Sequence, residues 1–569
     1  MRKRFYSILL SVSVLTAAVF AADSPGGKKT VSRRKSAVEI KVVPVGLNQD
    51  RINRIKHEIE NSAAVKKELG ATNYGLISFE YVSKNEKTNA SELQTPKHFR
   101  IIFYDYTNDR AIAAEGALSS PETVRITEDA AKPNPSRQEL DAAFELIGNS
   151  GEFGAALKTG KLRLFQAMPP VSVSASGERL INVGVESLDD SIKNEVVSIS
   201  FKRKQLVRYE RLAPPASSAK IASCGITNAG QPSTGRGVAG QYHVSIIQNG
   251  ASIWEMQVTR PSASSGFAGS GIELQNVKYR GKTVFKQAHV PVLNVKYAGD
   301  ACGPYVDWQY DEGFFDAPET GATNPAPGIR ILASGQVAKT SLENGDDRGN
   351  FQGVAIYTQD VGAGLETVLV TEMDAGWYRY IMEWRFANDG TIRPRFGFGA
   401  TRNSCVCLVH YHHVYWRFDF DVVNPNNRIY TIERGRKFLV PVTGEKSDFR
   451  NYQTNKSLLV QNGSGSEAYL LVPNLTDGRW NEGDSAFGAG DFWFLKYAPN
   501  NSQLGDTLDS AIDLTPYLNS ESIDNQDNVV WYAAHFTHSD GANLLDPNRN
   551  GLTLSGSHVV GPDIRPVRW

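Results

Sequence analysis

Residues Cys407–Asp421 read CLVHYHHVYWRFDFD, with histidines at 410, 412 and 413 and aspartates at 419 and 421. The run is rich in aromatic and β-branched residues, and apolar positions alternate with polar ones, so it predicts an extended strand. Alternate side chains of a strand share a face. His410 and His412 then lie with Val414, Trp416, Phe418 and Phe420 on a face that should be buried, while His413, Arg417, Asp419 and Asp421 point the other way. Two imidazoles at i and i+2 on a dry face can hold one metal ion, and imidazole suits copper, zinc or iron. The alternative is a pair of hydrogen-bonded core histidines. The motif is short, and a third ligand must come from elsewhere.

Around this strand, from about Cys224 to the end, helical periodicity almost disappears. Short alternating strands, glycine-rich turns and aromatic residues predict a large antiparallel β-sandwich over 224–569. Two shorter α+β segments precede it. The first, 40–130, has a helix over Asp50–Leu69, a strand over Gly75–Val82 and a hairpin over Phe99–Gly116 that turns at Asn108-Asp109. The second, 131–215, has a helix over Ser136–Leu157 that starts on a Ser136/Glu139 capping box. Strands follow at Leu162–Gln166, Arg179–Ser187 and Glu195–Tyr209, and the Pro/Ala/Ser stretch Ala213–Ser218 marks a boundary. A chain of 569 residues is too long for one core, which agrees with several domains.

The first 22 residues have a basic start, an apolar run and small residues near Ala21 and Ala22, the pattern of a secretory signal peptide. A basic linker, 23–39, follows. Export permits disulfides among Cys224, Cys302, Cys405 and Cys407, in three possible pairings. A Cys405–Cys407 bridge is disfavoured if both lie on one strand, where their Cα atoms would be about 6.5–7 Å apart. Lysine plus arginine equals aspartate plus glutamate at 61 each, so net charge points to neither nucleic acid nor a membrane surface.

The block DAGWYRYIMEWRFANDGTI (Asp374–Ile392), followed by HYHHVYWRFDFDVVNPNN (His410–Asn427), resembles the catalytic domain of the copper-containing amine oxidases. In that family a tyrosine in an Asn-Tyr-Asp/Glu motif becomes the cofactor topaquinone. Here Tyr378 precedes Trp384, Asp389-Gly-Thr-Ile392, then His410, His412, Arg417, Asp419 and Asp421 in the family order. Upstream, Gly271–Asp300 looks like the family's approach to its site. The resemblance makes Tyr297 a hydrogen-bond partner of the quinone and Asp311, in YDEG, the catalytic base. Downstream, Asp527–Asp540 matches the segment with the third copper ligand, where register selects His538 over His535.

The resemblance implies an exported homodimer that oxidises a primary amine with dioxygen, releasing aldehyde, ammonia and hydrogen peroxide. Copper would sit on His410, His412 and His538, and the topaquinone would form from Tyr378. Asp419, Asp421, Asp527 and the carbonyls of Phe420 and Asn528 match a second site suited to calcium or manganese; solvated aspartates are the bland alternative. One departure matters most. The family's Asn-Tyr-Asp/Glu is Trp377-Tyr378-Arg379. The asparagine that steadies the quinone is lost, and Arg379 puts a permanent charge beside it. That charge could stabilise a quinone oxyanion, but it would repel a protonated amine about 6 Å away by roughly 3 kcal/mol at an effective dielectric of about 20. The competing reading is therefore a copper-binding relative on the same scaffold that makes no quinone.

Overall fold

The computed structural model describes residues 38–82, 97–129, 132–188, 195–208, 225, 233–297, 306–362, 364–401, 403–434, 438–480, 488–498, 513–538, 553–554 and 558–569. The leader, the basic linker up to residue 37, the boundary at Ala213–Ser218, Cys224 and Cys302 lie outside them.

Two small α+β units come first. In one, four antiparallel strands between Tyr74 and Asp129 form a sheet, and its core joins Ile52, Ile55, Ile59, Val65 and Leu69 to Phe79, Phe99, Ile101 and Phe103. The single helix expected over Asp50–Leu69 is two, Gln49–Glu60 and Ala63–Leu69, because Asn61 caps one and the Ser62 hydroxyl accepts from Val65 N–H to start the next. The other unit repeats the plan with four strands between Leu162 and Arg208. Its capping box is present, with Ser136 Oγ accepting from Glu139 N–H and the Glu139 carboxylate from Ser136 N–H. The helix stops at Gly148, short of the expected Leu157, and a separate turn covers Gly154–Lys158. Strand Val38–Pro44 belongs to neither unit; it pairs with Gln241–Gln248 in the large sheet.

From Gln241 on, the described elements are strands apart from the short helix Ser341–Asn344 and a few 3-10 turns. Among the described residues 22 strands join in one hydrogen-bonded network, which folds into two facing sheets linked where Asn426 pairs with Asp527. Aromatic side chains pin the sheets together: Trp254 Nε1 donates to Ala387 O at 2.9 Å and Trp384 Nε1 to Ile272 O at 3.0 Å. The strand His410–Phe420 is central in one sheet, between Lys282–Tyr297 and Gln526–His538. Both of its faces are covered. Val414, Trp416, Phe418 and Phe420 face the main core, while Tyr415 packs with Trp493, Val529 and Trp531 in a second one. Arg417 and Asp419 are each 1% exposed. The sequence parity therefore separates two faces correctly, but the polar one is buried and not solvated. Among the described residues no helix is long and apolar enough to cross a membrane.

Candidate metal centre

Strand register assembles the site. Across three antiparallel neighbours Tyr297 stands opposite His410, and His410 opposite His538. His410, His412 and His538 are all buried, with ligand nitrogens within 4.8 Å of one another. His410 Nδ1 lies 2.6 Å from the Leu408 carbonyl, which can only accept, so Nδ1 carries the hydrogen and Nε2 keeps its lone pair for the cluster. His538 Nδ1 is 2.9 Å from His410 Nε2. The His412 ring lies against Phe536, and Phe398 packs on it from the facing sheet. Three imidazoles in a dry aromatic shell form a donor set that fits copper.

The facing sheet supplies Tyr378, first residue of the strand Tyr378–Ala387 and completely buried. Its hydroxyl enters the cluster: it donates to His410 Nε2 and lies 3.2 Å from His412 Nε2 and 3.3 Å from His538 Nδ1. Tyr380, two residues on, stacks parallel to it at 5.2 Å between centroids, and donates its own hydroxyl to Asp307. Asp307 is fully buried, and desolvation pushes its carboxyl up to about 8. Tyr297 stacks on His410 at 4.6 Å and accepts a hydrogen bond from Trp377 Nε1 at 2.9 Å. Burial, and then the Asp307 charge, hold its phenol well above the usual range.

Arg379 does not present a bare charge to the tyrosine. Its guanidinium grips Asp347 through two hydrogen bonds of 2.8 and 2.7 Å, sits 3.1 Å from Asp374, and donates to the Tyr378 carbonyl at 2.9 Å. Two carboxylates face one guanidinium, so the repulsion expected from an unpaired arginine is absent. The signal was in the quoted block: Asp374 stands five residues before Arg379, across the hairpin turn.

Asp311 is 4% exposed and accepts from Trp308 Nε1 at 2.9 Å. Its carboxyl is raised to about 7, first by desolvation and then by the charge of Asp374; burial raises Asp374 to about 7 as well. Asp311 lines a cavity of about 1080 Å³ between the α+β units and the sandwich. A second cavity of about 200 Å³ reaches Asp374, Trp377 and Arg379, and the two share Arg137, Leu140 and Ser233 as wall.

At the far end of the histidine strand Asp419, Asp421 and Asp527 form a second group, with carboxylate oxygens within 4.8 Å of one another. The charges of Asp419 and Asp527 both act on Arg417. Phe420 ends the strand and Asn528 is fully buried beside Asp527. His535 lies with His413 on the opposite face from the three-histidine group, their Nδ1 atoms 2.7 Å apart. Cys405 and Cys407 are both disulfide-bonded, and they sit in a 3-10 turn, Ser404–Cys407, instead of on the strand. Sequence reasoning passed over Asp307, Tyr380 and Asp347: each is an acid or phenol whose role depends on which strand it meets.

No protein-family model matches this chain, and no curated protein matches it. Solved structures do. A copper-containing benzylamine oxidase from Hansenula polymorpha superposes with a TM-score of 0.59 at 13% identity, over 92% of this chain and 97% of that one. An amine oxidase from Aspergillus nidulans gives 0.54 at 11%, over 94% and 89%. A lysyl oxidase from Pichia pastoris gives 0.52 at 12%, over 91% and 88%. This chain has the fold of those enzymes.

Proposed function

We propose that this chain is an exported, copper-dependent primary amine oxidase that turns a primary amine, dioxygen and water into an aldehyde, ammonia and hydrogen peroxide. The observation that carries the reading is the Tyr378 hydroxyl set among the imidazoles of His410, His412 and His538, in a fold shared with copper amine oxidases. Those histidines would hold the copper, and Tyr378 would be the topaquinone precursor. Bound copper with dioxygen supplies the oxidising chemistry that turns the tyrosine ring into the quinone, the acceptor of the amine's electrons.

The chain's own residues do the remainder. Asp311, raised to about 7, is partly ionised near neutrality and can take a proton from the carbon that bears the amine nitrogen. Tyr297, held by Trp377 and stacked on His410, orients the ring from the side. Complete burial of Tyr378 excludes bulk water. Asp419, Asp421 and Asp527, with the backbone of Phe420 and Asn528, suit calcium or manganese. Disulfides at Cys405 and Cys407 support export. The exposed apolar run Phe438, Leu439 and Val440 on a strand of the large sheet supports a homodimer.

The test is the mass of the Tyr378 peptide from protein made without copper and then given Cu(II) in air. A gain of two oxygens less two hydrogens, absent without copper, is the expected result. Tight copper binding with an unchanged peptide would favour the second reading, a copper-binding relative that makes no quinone. One observation speaks for it: Trp377 fills the position beside Tyr378 that a smaller asparagine holds in the family.

A further inference from the structure

Trp377 lies at the tip of a hairpin. Ala375 pairs with Tyr378, leaving Gly376 and Trp377 as a two-residue turn with the glycine first. Gly376 has φ +59, and a Cβ there would fall 2.3 Å from Met168 Cγ, so only glycine fits. The Trp377 carbonyl accepts from Thr401 N–H at 2.7 Å and from its hydroxyl at 3.1 Å. The backbone is therefore fixed, and a single hydrogen bond, to Tyr297, tethers the indole nitrogen. Beyond the indole lies the 200 Å³ cavity, whose wall mixes apolar rings such as Phe144 and Phe165 with Asp374 and the arginines Arg137, Arg163 and Arg379. Neither Tyr297 nor Tyr378 lines it, and both are buried, at 1% and 0%. The chamber stops at the tryptophan.

We propose that Trp377 is a specificity-determining residue: its indole is the partition between this chamber and Tyr378, and it admits only a small primary amine when it turns aside. The inference rests on the oxidase reading. The chamber is smaller than a drug-sized ligand pocket of about 300 Å³ or more, so a short amine fits where a long one does not. Turning the indole breaks its hydrogen bond to Tyr297 and gives up the packing of a ring that is 4% exposed, a cost that a bound amine has to offset.

The experiment measures access to Tyr378 directly. Copper-free protein is treated with tetranitromethane, and nitration is read peptide by peptide, with the buried Tyr469 as internal control. Trp377→Ala should speed nitration of Tyr378 on the order of tenfold and leave Tyr469 unchanged. Trp377→Phe, which keeps the ring and loses the N–H, should give a smaller rise. No rise in Trp377→Ala, or an equal rise in Trp377→Phe, would overturn the partition. Should Tyr469 become reactive in Trp377→Ala, Trp377→Leu replaces it and is held to the same outcomes. In copper-loaded protein, Trp377→Ala should also capture phenylhydrazine faster. A wild-type protein that captures none would count against the oxidase reading, while the nitration comparison would still decide the partition.

Discussion

His410 and His412 enter one strand at the end where its inward face meets the aromatic interior, and their third partner, His538, comes from the next strand. Asp419 and Asp421 leave the same strand at its other end, where Asp527 closes a cluster of oxygen donors. The histidine end is completed from across the sandwich by Tyr378, so it exists only when both sheets are assembled. The aspartate end is built along the edges of neighbouring strands. One backbone thus presents a nitrogen-rich site on one face and an oxygen-rich site on the other, separated by strand parity. The difference teaches that donor chemistry follows the face, while access to a reacting group follows what the other sheet contributes.

Substitutions at the two ends should have separate consequences. His412→Ala should weaken Cu(II) binding by more than the about 10–100-fold typical of losing an outer hydrogen-bond partner, and Asp421→Asn should leave it unchanged in the same titration. A parallel loss in both variants would mean that the two ends act as one site. Asp311→Asn should lower turnover by about 10²–10⁴ while phenylhydrazine capture persists, because the role proposed for this acid is proton transfer and not metal binding. The pH dependence follows from the same carboxyl. Burial and Asp374 favour its protonated form, so the base is present above about 7 and lost as pH falls, and Asp374→Asn should move that limb of kcat/KM to lower pH.

At the aspartate end, calcium at a hundred times its Kd should raise unfolding stability by about 2.7 kcal/mol in thermal melts, and Asp419→Asn should abolish the gain. A further effect lies with Asp307. Its folded-state carboxyl, raised to about 8, keeps a proton that the unfolded chain releases near pH 4. Its contribution to stability is therefore full below pH 4 and is lost as pH rises towards 8. Asp307→Asn should flatten the fall in melting temperature over that range; an unchanged slope would show that another group sets it.

Much of this arrangement could be read from residue order. Period-two alternation in 410–420 identified the strand and its two faces, and the Ser136/Glu139 capping box located a helix start. His410 and His412 were legible as a pair from strand parity, but His538 only through resemblance, because nothing local says that His538, and not His535, sits beside them. That choice is made by register across the strand pair. The fate of Arg379 was less legible still. A charge next to Tyr378 reads as a liability until Asp347, from a distant loop, and Asp374, from across the turn, are seen to neutralise it. Asp307 and Tyr380 escaped for the same reason, since a buried acid is informative only once its neighbours are known. Helix ends were misplaced at Asn61-Ser62 and Gly148, where caps interrupt an otherwise continuous apolar period.

The most direct test of the central claim is a visible spectrum of copper-free protein given Cu(II) in air, recorded before and after phenylhydrazine, with Tyr378→Phe alongside. A broad band that becomes an intense hydrazone band in the native chain and is missing from the variant is the predicted result. Stoichiometric copper on the three histidines with no band and no adduct would contradict it, leaving a metal-binding scaffold in place of an oxidase.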